Sequence, residues 1–170
     1  IAVILLKDHA VVVADSTWAA MKGADVLKLV TSGGHKDLSD ESIFRRFRSD
    51  LFKSGVTAAK VGDSSKAIAK ANKVLELEYE MPMQAHATME PLCATASVNP
   101  DECNIWAPVQ NQDAVMGVAM AVTNLSSEKI RINTTFLGGG FGRKFEVDFL
   151  VAPLVASKVM GKPVKVIWKR

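Results

Sequence analysis

Between a strand-patterned run, Ile130 to Leu137, and a helix-patterned run, Phe145 to Met160, the chain reads Gly138-Gly139-Gly140-Phe141-Gly142-Arg143-Lys144. Four glycines in five positions allow a backbone to turn through positive φ and to approach a ligand with no β-carbon in the way. Placed at the opening of a helix, such a loop would also offer unpaired N–H groups and the positive end of the macrodipole. The two cations that follow strengthen a preference for an anionic or carbonyl-rich ligand. Glu146 and Asp148 work the other way, because a phosphate seated directly on the first turn would be repelled by them. A plain strand-to-helix turn has the same composition, so the loop has to be weighed with what surrounds it.

Two named nucleotide motifs fail on spacing. G-x-G-x-x-G needs glycine where Arg143 or Phe145 stands, and G-x-x-x-x-G-K-[ST] needs glycine at Arg143 and a hydroxyl at Phe145. Nucleic acid is also a poor partner for the chain. Its 21 Lys+Arg face 18 Asp+Glu for a net charge of +3, and aromatics are 6% of residues, too few for a stacking platform. His9, His35 and His86 are scattered, and Cys93 and Cys103 form no C-x-x-C, so a metal held by protein ligands is not expected. The two cysteines are expected as free buried thiols rather than a disulfide. No apolar run approaches the length of a membrane span. The start at Ile1 and the strand-like finish Lys165 to Arg170 read as interior to a longer polypeptide.

The periodicities predict strands over Ile1–Leu6, Ala10–Ala14, Val26–Thr31, Val56–Lys60, Val74–Tyr79, Ala94–Val98, Asn104–Pro108 and Lys129–Phe136, with another at the end. Helices are predicted from Trp18, from Ser39 with Ile43, Phe44, Phe47 and Leu51 on one face, and over Ser64–Asn72 with Ala67, Ile68 and Ala71 inward. Asn111–Asn124, nearly all apolar, is expected to be buried on most sides. Arg45, Arg46 and Arg48 fall off the apolar stripe of their helix, as a solvated face does. Pro82 in Met81-Pro82-Met83 marks a boundary, dividing 1–80 from 81–170. Helices and strands alternate without a regular β-α-β rhythm, which makes the class α+β.

Two further segments are polar where scaffold would be apolar. In His86-Ala87-Thr88-Met89-Glu90-Pro91, the Glu-Pro step holds the carboxylate on extended backbone. A structural hydrogen bond accounts for His86 and Glu90 as well as a functional role does. In Trp106-Ala107-Pro108-Val109-Gln110-Asn111-Gln112, a strand hands over to a helix, and Gln110 or Asn111 can serve as its cap.

In order, His-x-x-x-Glu-Pro, a strand ending in Gln before a buried helix, and Gly-Gly-Gly-Phe-Gly-x-Lys resemble the molybdenum-binding subunits of the xanthine oxidase/aldehyde oxidase family. Thr88 to Pro91, Gly138 to Lys144 and Pro163 to Val166 are most similar to the isoquinoline 1-oxidoreductase beta-subunit branch. The resemblance implies that 1–80 is the C-terminal part of an α/β hammerhead-like domain and 81–170 the N-terminal part of a first molybdopterin-binding domain. It also implies an enzyme that hydroxylates an aldehyde or N-heteroaromatic carbon with water as oxygen source. Its molybdenum is held by the pterin, in the cytosine dinucleotide form, and its electrons leave through iron–sulfur clusters on a partner subunit or domain.

Carried over by position, Gln110 matches the glutamine that hydrogen-bonds an oxygen on molybdenum, and Gly139, Gly140, Phe141 and Gly142 match the loop that meets the cofactor. His86 and Glu90 fall in a supporting role. Purine-oxidising relatives have Glu directly after the loop Lys; here Phe145 makes that wall of the substrate pocket apolar, which suits aldehydes or fused heterocycles. The family's catalytic Glu is expected beyond Arg170, so no residue of the chain is taken as catalytic and the chain alone is expected to be inactive. The alternative reading is a non-redox domain that binds a nucleotide or other anion at the glycine-rich loop.

Overall fold

Cys93–Val98 (β3) alternates strictly, with Ala94, Ala96 and Val98 buried on one face, as a half-buried strand must. The computed structural model, which describes residues 2–169, builds the main sheet around it. Asn99 closes the hairpin to Cys103–Ala107 (β4): its Oδ1 accepts from the N–H groups of Asp101 and Glu102, each at 2.8 Å. A helix, Gln112–Thr123 (α4), then carries the chain over to Ile130–Thr134 (β5), parallel to β4. The last strand, Val164–Ile167 (β6), returns antiparallel to β3, giving the order β5-β4-β3-β6. The class is α+β, as expected.

Val151–Met160 (α5) lies over β3 and buries Ala152, Pro153, Leu154, Ala156 and Ser157. Pro153 is tolerated because it falls in the first turn, where no i−4 carbonyl is lost. Ser157 is buried but fully used, accepting from Val98 N–H at 2.9 Å and donating to Lys162 O at 2.8 Å. Ile105, Phe149, Leu150 and Leu154 fill the space between sheet and helices with almost no exposure. Each such side chain contributes about 1.5–3 kcal/mol by its removal from water.

A hairpin of Ala2–Leu5 (β1) and Ala10–Val13 (β2), followed by Thr17–Val26 (α1) capped by Ser16, belongs to the same compact unit. Val11 joins Ala152 and Ala156 of α5 in a small second core. That unit spans Ile1–Leu29 and Ala85–Arg170, while Val30–Gln84 forms a second one. The second unit holds two helices, Asp40–Asp50 (α2) with a Ser39 capping box, and Ser64–Ala69 (α3). Within it Arg48 pairs with both Glu78 and Glu80.

Several expected elements differ. Val26–Thr31, Val56–Lys60 and Val74–Tyr79 are not strands: Val26 ends α1 and the rest is irregular. An alternating pattern makes a strand only when a second strand supplies the ladder, and the second unit has none among its described residues. Ala67, Ile68 and Ala71 are exposed rather than inward, because no layer lies under the short α3. Only Val115, Ala119 and Thr123 of α4 are fully buried, so that helix covers the sheet with one face. The ends of two expected strands, at Ile1 and Arg170, fall outside the described residues.

Candidate functional site

The glycine-rich loop leaves the end of β5 and does not open an α-helix. Arg143–Phe145 and Asp148–Leu150 are single 3-10 turns, and α5 starts only at Val151. The expectation of a helix macrodipole behind the loop is therefore corrected: Glu146 and Val147 break the helical run before it can align. What the loop does offer is its own backbone. Gly139, Phe141 and Gly142 take φ of 91°, 51° and 89°. The N–H groups of Gly139, Gly140, Phe141 and Gly142 have no acceptor among the described residues. Gly140 is buried, and an unpaired N–H there is costly unless a ligand satisfies it. A left-handed Phe is uncommon and strained, which is typical of binding loops.

The two loop cations are already spent. Lys144 is fully buried and pairs with Glu90. Arg143 makes a bidentate pair with Asp148, at 2.8 and 2.9 Å, and its guanidinium also lies 5.8 Å from the Trp168 ring centroid. The same pairing neutralises Asp148, whose carboxyl is held below its usual range chiefly by the Arg143 hydrogen bonds. The loop is thus a set of neutral amide donors rather than a cationic anion cradle, a correction to the reading of Lys144 from sequence.

Glu90 is reached from the direction of β3. Its backbone N–H donates to Gly138 O at 3.1 Å, and Gly138 N–H donates back to Glu90 Oε2 at 3.0 Å. Burial works to raise the Glu90 pKa, yet the hydrogen bonds from Lys144 and Gly138 outweigh it and hold the carboxyl below its usual range. Thr88 Oγ donates to Glu90 O at 2.8 Å, fixing the segment before Pro91. His86 is exposed, with Nε2 3.9 Å from where a β-carbon on Gly142 would stand. Both residues meet the loop, Glu90 by three bonds and His86 by proximity.

Gln110 follows the buried Pro108 and Val109 at the end of β4. The ambiguity over the helix cap is resolved by Asn111, whose Oδ1 accepts from Ala114 N–H at 3.1 Å. This leaves the Gln110 carboxamide free of the cap. Its backbone N–H donates to Lys144 O at 3.0 Å, and its carboxamide lies against Gly140, where a β-carbon would come within 2.8 Å of Cδ. The carboxamide makes no hydrogen bond among the described residues. Gln110, Gly139, Gly140, Phe141 and Gly142 are thus brought to one wall. Phe141, within the loop, and Phe145, just after it, are 73% and 55% exposed.

Sequence reasoning did not find the inward turn of Lys144 or the Arg143–Asp148 clasp. A cation after a glycine run has no periodicity to show which way it points. Cys93 and Cys103 are free thiols. Among the described residues no group of His, Cys, Asp and Glu is placed to hold a metal ion, and no helix is long and apolar enough to cross a membrane. A cavity of about 540 Å³ is lined by β2, α1 and β6, and includes none of the loop residues.

The chain matches the family described as molybdopterin cofactor-binding domain, over residues 48–170. It is similar to a membrane-bound aldehyde dehydrogenase (pyrroloquinoline-quinone) of Gluconacetobacter polyoxogenes, with 29% identity over 98% of the chain and 22% of that protein. Similarity to isoquinoline 1-oxidoreductase subunit beta of Brevundimonas diminuta is 29% identity over 72% of the chain and 16% of that protein. Among solved structures, the aldehyde oxidoreductase from Desulfovibrio gigas superposes with a TM-score of 0.51 and 25% identity, over 64% of this chain and 12% of that one. The chain spans less than a quarter of the length of each of these proteins.

Proposed function

The chain belongs to the molybdopterin cofactor-binding domain family, and from that membership we propose that it forms one wall of the molybdopterin site of a larger molybdenum-dependent oxidoreductase. The observation that carries this reading is the run of open N–H groups from Gly139 to Gly142 beside the Gln110 carboxamide. The fit can be tested on the loop itself. At Gly140 a β-carbon would collide with Gln110, and at Gly138 with Glu90, so these glycines let the loop close onto the two side chains while its amides at 139–142 stay without acceptors among the described residues. Neutral amide donors suit the polarised oxygens of such a cofactor without a counter-charge.

In this reading Gln110 and the amides of Gly139, Gly140, Phe141 and Gly142 bind and orient the cofactor. Phe145 presents an apolar wall to substrate, which favours an aldehyde or an N-heteroaromatic compound over a purine. When bound, the cofactor supplies the molybdenum that takes up two electrons from the substrate carbon, with water as the oxygen source. The chain has the task of positioning and of fixed dipoles. The catalytic base, the cytosine dinucleotide form of the pterin, iron–sulfur clusters on a partner and the division of the chain at 80/81 are parts of the same proposal. The chain alone is inert in it.

Pyrroloquinoline quinone, which appears in the name of one relative, is the competing cofactor. Metal and cofactor analysis of the complete protein separates the two. Stoichiometric molybdenum and a releasable pterin are expected, with cytidine monophosphate on hydrolysis. Active protein that contains no molybdenum would overturn the proposal. The anion-binding alternative predicts tight nucleotide binding that Lys144→Ala weakens, although Lys144 is turned away from the loop's open side and paired to Glu90.

A further inference from the structure

We propose that the Glu90–Lys144 ion pair is a positioning latch that holds the cofactor wall in register; this rests on the molybdopterin reading above. Lys144 is among the largest fully buried side chains of the chain's described residues, and it is a charged one. Its ammonium meets Glu90 Oε2, the same oxygen that accepts from Gly138 N–H, and Glu90 N–H returns a bond to Gly138 O. One carboxylate therefore pins both ends of the segment from Gly138 to Lys144. The backbone of Lys144 carries the connection further, since its carbonyl accepts from Gln110 N–H at 3.0 Å. The loop and the residue that bears the carboxamide are tied to the same point.

Such a device answers a physical need. Glycines at φ of 91° and 89° give the loop its shape but no rigidity, because glycine loses the most freedom on ordering. A run of amide donors is useful only if its position is set before the ligand arrives. Here only the lysine is fully buried, the Glu90 side chain being 32% exposed. A pair that takes a charge out of water contributes little net stability compared with an apolar pair of similar volume, and its better-attested use is to fix register. Lys165 is the other cation felt by Glu90. It lies on β6 and, among the described residues, makes no bond to Glu90 or to the loop.

The test uses the complete enzyme with Lys144→Met, Glu90→Gln and the double variant Glu90→Leu/Lys144→Met, which leaves no unpaired charge. Molybdenum is measured per folded protein, together with the molybdenum EPR spectrum and the split of kcat against KM. The expected result is at least a fivefold loss of molybdenum in the folded double variant, a shifted spectrum for what remains, and a lower kcat at similar KM. Wild-type protein without molybdenum would overturn both this latch and the reading under it. A double variant with full molybdenum and an unchanged spectrum would overturn the latch alone. So would a double variant that no longer folds, because the pair would then be a folding element and not a positioning one.

Discussion

The Gln110 carboxamide occupies the space that a β-carbon on Gly140 would need, within 2.8 Å of Cδ and closer still to Oε1. Gly140 is outside the left-handed region taken by its neighbours Gly139, Phe141 and Gly142. An alanine there meets no backbone strain, only Gln110 and, at 3.2 Å, Leu137 Cδ2. The contact thus separates two reasons for a glycine, conformation and close approach, that sequence alone merges.

Gly140→Ala is expected to move Gln110 without unfolding the protein. The colliding atoms are the far end of a flexible, exposed side chain, so the stability cost stays within about 1 kcal/mol. Turnover of the complete enzyme should fall by roughly 10²-fold, as for the loss of one oriented donor at a reacting oxygen. Gln110→Ala should show the same rate loss with a stability change within about 0.5 kcal/mol. Steady-state kinetics and thermal melts check both; wild-type turnover in either variant would remove Gln110 from the site.

Gly138→Ala should behave in the opposite way. Its β-carbon would stand 2.6 Å from Glu90 Cβ, an atom that no rotamer can move aside. Overpacking of this kind costs about 1–3 kcal/mol. A lowered melting temperature with loosened protection of the Gly138 amide is the expected readout. A Gly138→Ala protein as stable as wild type would mean that the Glu90 segment gives way, contrary to its three bonds to the loop and Lys144.

Much of the sheet was legible because its residues report their own burial. The positions of β3 and β4, the Asn99 turn and the existence of the Asn111–Asn124 helix read correctly from composition and turn chemistry, whereas the burial of that helix on most sides did not. Val74–Tyr79 alternates as clearly but has no strand to pair with in its unit, and no local pattern reveals a missing partner. At the loop, the glycines and Gln110 could be placed side by side only through the resemblance, since β4 and the loop are far apart in sequence. The helix expected from Phe145 failed locally. Two 3-10 turns, closed by the Arg143–Asp148 clasp, take up the residues before α5.

Acid should weaken the protein partly through Glu90. Burial works to raise the pKa of its carboxyl, but the hydrogen bonds from Lys144 and Gly138 outweigh that and hold it below the ordinary glutamate range in the folded state. A folded-state pKa below the unfolded one means that the unfolded chain binds more protons in that window, so stability rises with pH there. The contribution is complete above about pH 4.5 and is lost as pH falls through the depressed value. Asp148, lowered by Arg143, adds in the same direction. Urea midpoints from about pH 3 to pH 6 should therefore fall more steeply with acid for wild type than for Glu90→Gln. Parallel curves would show that Glu90 carries no linkage.

The two thiols should remain separate and unequal. In the β3–β4 ladder Cys103 faces Val98, five positions along the strand from Cys93. At about 3.4 Å per residue the cysteines are roughly 17 Å apart along the strand, far beyond the roughly 7 Å that a disulfide allows. Cys103 is fully buried and its thiol is pushed up to about 11 by that burial. Cys93 is half-buried, raised first by burial and then by the nearby Glu90 carboxylate. Because the thiolate is the reactive form, both should alkylate slowly near neutral pH, Cys93 first and Cys103 only on unfolding. Peptide mass mapping after iodoacetamide treatment, with and without denaturant, gives the order directly. A Cys93–Cys103 disulfide in air-oxidised native protein would contradict the register of the sheet.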